Sequence, residues 1–77
     1  MSRIHDLFNT LSKANLSPMW DENVEQEQIL VSTEKADFEI VESAAPGYFG
    51  VKKDIPFEEP EYYALDGEKE VLSLVIS

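Results

Sequence analysis

The residues that could do chemistry in this chain are few, and their spacing does not assemble a catalytic set. His5 is the only histidine and there is no cysteine, so thiol nucleophiles, disulfide frameworks and zinc fingers are excluded. A serine could be combined with His5 and Asp6, but no strand-turn-helix elbow presents such a nucleophile. The three glycines are too far apart for a phosphate-binding loop or a dinucleotide fingerprint. We therefore expect no enzyme activity and no cofactor.

Two acidic segments approach the pattern of a ligand or acid–base site without meeting its requirements. The run from Asp21 to Glu25 begins like a calcium loop, but Gln26 occupies the position of the required glycine and Ser32 that of the bidentate glutamate. Glu58 and Glu59 could form a glycosidase pair, but a chain of 77 residues leaves little room for a substrate cleft. We expect no metal site and no catalytic residue.

The charge balance excludes several kinds of partner. Six Lys and Arg residues stand against 16 Asp and Glu, a net charge of −10 in 77 residues. We expect a single domain spanning residues 1–77, with neither direct nucleic-acid binding nor membrane binding, because phosphates and anionic lipids repel such a chain. The first residues lack the apolar run of a secretory signal, and no apolar stretch approaches the roughly 20 residues of a membrane span. These features favour a cytoplasmic location.

An N-terminal amphipathic helix is predicted from Ser2 to Leu16. The residues Ile4, Leu7, Phe8 and Leu11 recur at helical spacing, with polar side chains opposite them. Asn15 suits a left-handed cap at the C-terminal end.

Short runs of β-branched and aromatic residues follow, separated by turn residues. They predict strands at Gln28–Thr33, Asp37–Ser43, Tyr48–Lys53, Glu61–Leu65 and Glu70–Ile76. Asp66-Gly67 is a strong tight-turn signal, whereas Pro18–Glu27 fits either a helical turn or direct entry into the first strand. The fold class predicted is α+β, with the helix packed on one face of a mostly antiparallel sheet of four or five strands.

The predicted strands are apolar on both sides. Leu72, Leu74 and Ile76 would point one way and Val71 and Val75 the other. One helix covers only one sheet face, which leaves two interpretations. Either a curled sheet hides the remaining apolar surface, or the second face or the C-terminal edge strand contacts a partner or a second copy.

The acidic residues are unevenly distributed. Between Lys13 and Lys35 there are five acids and no base, and between Lys53 and Lys69 there are six acids and no base. If the two blocks lie together, they form a one-sign surface able to steer onto a basic protein. The alternative is a solvated face that keeps the chain dispersed. The proposed partner contacts are Trp20, Asp21, Glu22, Glu25, Glu27, Glu58, Glu59, Glu61 and Tyr62.

Small size, strong acidity, one helix with a sheet and no catalytic set make the chain similar in type to small inhibitors made by bacterial viruses, some of which mimic DNA. This resemblance is one of composition. It implies a non-enzymatic inhibitor that occupies a basic, nucleic-acid-binding surface of another protein. The rival hypothesis is a structural or assembly subunit, such as a homodimer, joined through the apolar sheet face or the C-terminal edge strand.

Overall fold

A computed structural model describes residues 3–21, 27–43 and 47–76 of the chain. Its elements in chain order are α1 (Arg3–Lys13), β1 (Met19–Trp20), β2 (Gln28–Ser32), β3 (Asp37–Glu42), β4 (Phe49–Asp54), β5 (Glu61–Leu65) and α2 (Glu68–Ile76). The five strands form one antiparallel sheet in the order β1-β2-β3-β4-β5. The α+β class is therefore confirmed. Neither described helix is long and apolar enough to cross a membrane.

Helix α1 has the predicted stripe and the predicted cap, but it ends at Lys13, before the predicted end at Leu16. Ser2 lies outside the described residues. Ile4, Leu7 and Leu11 are buried, because residues three and four apart share one side of a helix. Asn15 has a φ of 62°, and the Leu16 backbone N–H donates to the Leu11 carbonyl at 3.2 Å. The Asn15 N–H donates to the Ser12 carbonyl at 3.0 Å, which completes the paired bonds of a Schellman motif.

One face of the sheet carries the core. Ile29, Ile40 and Val51 are directly opposite one another across three neighbouring strands, and each is at most 2% exposed. Side chains alternate between the faces of a strand, so the residues between them point to the other face. The buried residues of both helices join the same hydrophobic cluster, which places α1 and α2 on this core face.

The predicted strand at Glu70–Ile76 is wrong, because these residues form helix α2. Val71 and Val75 are four residues apart and both buried, which is helical spacing. The Val71 N–H donates to the Gly67 carbonyl at 3.2 Å, so Asp66-Gly67 leads into a helix and not into a hairpin. Helix α2 packs beside α1, and its apolar residues cover the core face that one helix would leave partly exposed.

The other strand predictions hold to within one residue at either end. Of the ambiguous segment Pro18–Glu27, Met19 and Trp20 form β1, which pairs with β2 through Met19 opposite Leu30 and Trp20 opposite Ile29. Residues 22–26 lie outside the described residues. The fifth strand of the sheet is thus β1, which precedes β2 in the chain, and not a strand at the C-terminus.

Candidate binding surface

The sheet face opposite the two helices brings together residues of all five strands. We call it the open face. It presents Met19, Gln28, Leu30, Ser32, Asp37, Glu39, Val41, Gly50, Lys52, Asp54, Tyr62 and Ala64. The core residues alternate with these in β2, β3 and β4, so the same register that buries the core also assembles the open face.

The strand register arranges the open face in three rows that cross the strands. The first row is Gln28, Val41, Gly50 and Ala64, the second is Met19, Leu30, Glu39, Lys52 and Tyr62, and the third is Ser32, Asp37 and Asp54. Successive rows are about 7 Å apart, since they differ by two residues along each strand. The face therefore changes from mainly apolar to acidic along the strands.

The third row lies at an acidic end of the sheet. Asp37 is directly opposite Asp54, and both side chains are exposed. Glu34 lies in the adjoining β2–β3 hairpin, and exposed Glu58 and Glu59 lie in the loop that follows β4. We call these five carboxylates the acidic end. Lys35 and Lys53 also lie near this end, so its charge is predominantly but not uniformly negative.

Phe57 is the exposed aromatic residue at the acidic end. It is fully exposed and has a φ of 67°. The Glu58 N–H donates to the Ile55 carbonyl at 3.1 Å, which closes a turn with Pro56 and Phe57 at its centre. Proline at the first of the two central positions and a positive φ at the other are the pattern of a type II turn. The position with positive φ normally takes glycine. The turn thus holds a bulky apolar side chain in solvent in a conformation that is unfavourable for it.

The apolar end of the open face contains a shallow hollow of about 430 Å³. Gly50 contributes no side chain at its floor, and the rim includes Val41 on β3 and Tyr62 on β5. Tyr62 is 72% exposed. A glycine inside a strand is typical of places where another group approaches the sheet closely.

The central charges of the open face are paired within the chain. Lys52 Nζ lies 3.5 Å from Glu39 Oε2, and Gln28 Nε2 donates to Glu39 Oε1 at 2.8 Å. Glu39 is therefore less suited than Asp37 or Asp54 to bind an external cation.

The structure brings together only part of the two acidic blocks. Glu34 of the first block lies at the acidic end with Asp54, Glu58 and Glu59 of the second, but the other described acids of the first block do not. Asp21 and Glu27 flank the start of β2, whereas Glu58 and Glu59 lie beyond the other end of the sheet, next to β5. Glu27 is in contact with His5 of α1. Glu22 and Glu25 lie outside the described residues.

The remaining predicted contacts have different environments. Trp20 points to the core face and stacks on Phe8, with ring centroids 4.6 Å apart and planes 7° from parallel, so its ring supports the packing of α1. Glu61 is exposed and accepts a hydrogen bond from the Tyr63 hydroxyl. This hydrogen bond raises the pKa of Tyr63 above its ordinary value, with desolvation and the Glu61 charge as smaller contributions. Tyr62 alone of the predicted aromatic contacts lies on the open face.

Sequence reasoning missed Asp37, Asp54 and Phe57. The pairing of the two aspartates depends on strand register, which no local pattern reveals. The signal for Phe57 was present in the Pro56-Phe57 pair between two strands, because proline at the second position of a turn often precedes a residue with positive φ.

Within the described ranges, no three His, Asp or Glu side chains lie close enough to hold a metal ion. Compared with known proteins, the chain matches no family model, no curated protein and no solved structure.

Proposed function

We propose that this protein is a non-enzymatic binding protein that docks its acidic end on a basic, nucleic-acid-binding surface of another protein. The observation that carries the proposal is the combination of the opposed pair Asp37 and Asp54 with exposed Phe57 at one end of the sheet. Like charges directly opposite each other and a non-glycine residue with positive φ are both locally unfavourable. Features that break local rules are concentrated at functional sites.

The charges explain how such a partner would be recognised. A predominantly negative surface attracts a basic surface over a distance of about 8–10 Å at moderate salt, and this attraction raises the association rate. Carboxylates can engage the Lys and Arg side chains that otherwise bind phosphate. Partner binding should therefore weaken as salt rises and compete with nucleic acid.

Phe57 adds an apolar contact, which the carboxylates of the acidic end do not provide. Buried aromatic side chains dominate the free energy of many protein interfaces, and Phe57 already stands clear of its own core. Its neighbours Glu58 and Glu59 match a partner pocket that is apolar inside and cationic at its rim.

The rival assembly through a C-terminal edge strand loses its basis, because residues 68–76 form helix α2. Self-association through the acidic ends is also disfavoured, because like charges would meet.

The test compares two double charge reversals in affinity capture from a bacterial lysate, which is chosen because the chain resembles inhibitors made by bacterial viruses. The first variant is Asp37→Lys with Asp54→Lys. The control is Asp6→Lys with Glu70→Lys, at exposed helical positions on the other side of the molecule. Both raise the net charge of −10 by the same four units, so general electrostatics are matched. We expect the first variant alone to lose a basic protein that wild type retains at low salt and releases on addition of DNA.

The identified partner is then purified and titrated with each variant. An equal loss of affinity in both variants would show that only the net charge of the protein matters. Unchanged affinity in the first variant would show that the acidic end is not the binding site. Phe57→Gly extends the test, since it removes the aromatic group without changing charge.

A further inference from the structure

The hollow around Gly50 lies outside the acidic end and has no part in the docking proposed for that end. Gly50 lies between Val41 on β3 and Ala64 on β5 in the first row of the open face. Two of these three positions have little or no side chain. The depression therefore results from the sequence at the paired positions and not from a gap in the sheet.

The walls of the hollow suit an aromatic group. Val41 and the ring of Tyr62 provide apolar contact, while Gln28, Glu39 and Lys52 contribute polar groups at its border. A volume of about 430 Å³ exceeds that of a single aromatic side chain and falls within the roughly 300–1,000 Å³ usual for small binding sites. Tyrosine walls are common where a partner's aromatic residue docks.

The position of the hollow relative to the aspartate pair defines a spacing. Gly50 and Asp54 are four residues apart on β4, as are Val41 and Asp37 on β3. Four residues of strand span about 13 Å. An extended peptide has nearly the same rise, so side chains at positions i and i+4 could reach the hollow and the aspartates together.

We propose that the open face binds an extended segment of a protein partner that carries an aromatic residue for the Gly50 hollow and an Arg or Lys four positions away for Asp37 and Asp54. Charge complementarity selects this occupant, because the aspartates are opposed and exposed whereas Glu39 is already paired with Lys52. The inference rests on the proposed function for its cationic half. The hollow binds the aromatic residue of the segment, and its distance from the aspartates fixes the spacing between that residue and the Arg or Lys.

The test uses three acetylated, amidated pentapeptides. They are Trp-Ser-Ser-Ser-Arg, its permutation Trp-Arg-Ser-Ser-Ser, and Ala-Ser-Ser-Ser-Arg. Each is titrated into ¹⁵N-labelled protein while the amide shifts of Val41, Gly50, Asp37 and Asp54 are followed. We expect saturable shifts at both ends of the face with the first peptide. The permuted peptide should bind about threefold more weakly, the effect of one exposed ion pair.

Two substitutions separate the hollow from the aspartates. Gly50→Val fills the floor, and its Cβ would lie 3.3 Å from Val41 Cγ2, a small displacement in a strand that favours β-branched residues. Tyr62→Ala removes one wall at a largely exposed position. Ser32→Val is the control, because it adds the same kind of bulk to the open face outside the hollow. We expect the first two to abolish the peptide-induced shift of the Val41 amide at the hollow and the control to preserve it.

The failures of the two proposals are distinguishable. Shifts confined to Asp37 and Asp54, equal for the Trp and Ala peptides and unaffected by Gly50→Val, would overturn the hollow and leave charge-driven docking intact. Shifts at Gly50 that ignore peptide permutation and persist in Asp37→Asn with Asp54→Asn would overturn the paired recognition and remove the charge support for the proposed function. No saturable shift with any peptide would also overturn the inference.

Discussion

Asp37 on β3 is directly opposite Asp54 on β4, and both side chains point to the open face. Directly opposed residues of antiparallel strands have Cβ atoms about 5 Å apart. The two carboxylates therefore repel each other across the ladder that holds the middle of the sheet. The chain tolerates this repulsion while the neighbouring Glu39 is compensated by Lys52.

Neutralising one member of this pair should stabilise the fold. We expect Asp54→Asn to raise the free energy of unfolding by about 0.5 kcal/mol, measured by urea denaturation at low salt. Glu59→Gln is the control, because it removes one negative charge from an exposed loop position outside the sheet. An equal gain in both variants would attribute the effect to total charge.

The turn at Phe57 gives a second prediction. Glycine adopts positive φ without steric cost, so Phe57→Gly should raise the free energy of unfolding by about 1 kcal/mol. Phe57→Ala keeps the Cβ and should change stability much less, although it removes the same aromatic ring. A gain in both variants would trace the cost to the exposed ring and not to the backbone.

The orientation of helix α2 predicts that a lysine substitution destabilises the fold strongly at one position and weakly at the next. Val75 is 3% exposed and Ile76 is 62% exposed. Val75→Lys places a charge in the core and should cost about 3 kcal/mol or more, whereas Ile76→Lys should cost little. Guanidinium denaturation of the pair measures the difference. Similar losses at both positions would contradict the helical orientation.

The hydrogen bond between Tyr63 and Glu61 predicts a pH dependence. It raises the folded-state pKa of Tyr63 above its ordinary value near 10, so the stabilisation is present below the unfolded-state pKa and is lost as pH rises through the folded-state pKa. In Glu61→Ala one tyrosinate transition, followed by ultraviolet absorbance, should move to lower pH. An unchanged titration curve would show that the hydrogen bond is not made in solution.

The stack of Trp20 on Phe8 predicts the behaviour of the only tryptophan. Phe8→Ala should increase quenching of Trp20 fluorescence by acrylamide, because the indole loses the ring that covers one face. It should also destabilise the fold by about 2 kcal/mol through lost packing. Asn9→Ala, at the adjacent exposed position, should leave quenching unchanged. Strong quenching already in the wild type would indicate that Trp20 is free to contact a partner.

Much of the fold could be predicted because the relevant signals are local. The stripe containing Leu7 and Leu11 and the left-handed cap at Asn15 follow from spacing and residue type. The failure at Glu70–Ile76 has an equally physical cause. A short apolar run satisfies strand and helix patterns alike, and the choice depends on whether a second helix is needed beside α1 to cover the core.

The candidate surface was less predictable than the fold. Clustering of acids along the chain drew attention to Asp21, Glu27, Glu58 and Glu59, but the sheet places the first two and the last two at opposite ends. The Asp37 and Asp54 pair was hidden because its members are separated by 16 intervening residues.

The sequence by itself determined the acidic character, the amphipathic helix and the alternating strands, since charge and periodicity are properties of neighbouring residues. Only the tertiary structure decided that residues 68–76 become α2, that Trp20 packs inward and that Asp37 is opposite Asp54. Those outcomes depend on strand register and on which face of the sheet the helices must cover. Both are settled by burying the core as a whole, because no single segment can remove its apolar side from water alone.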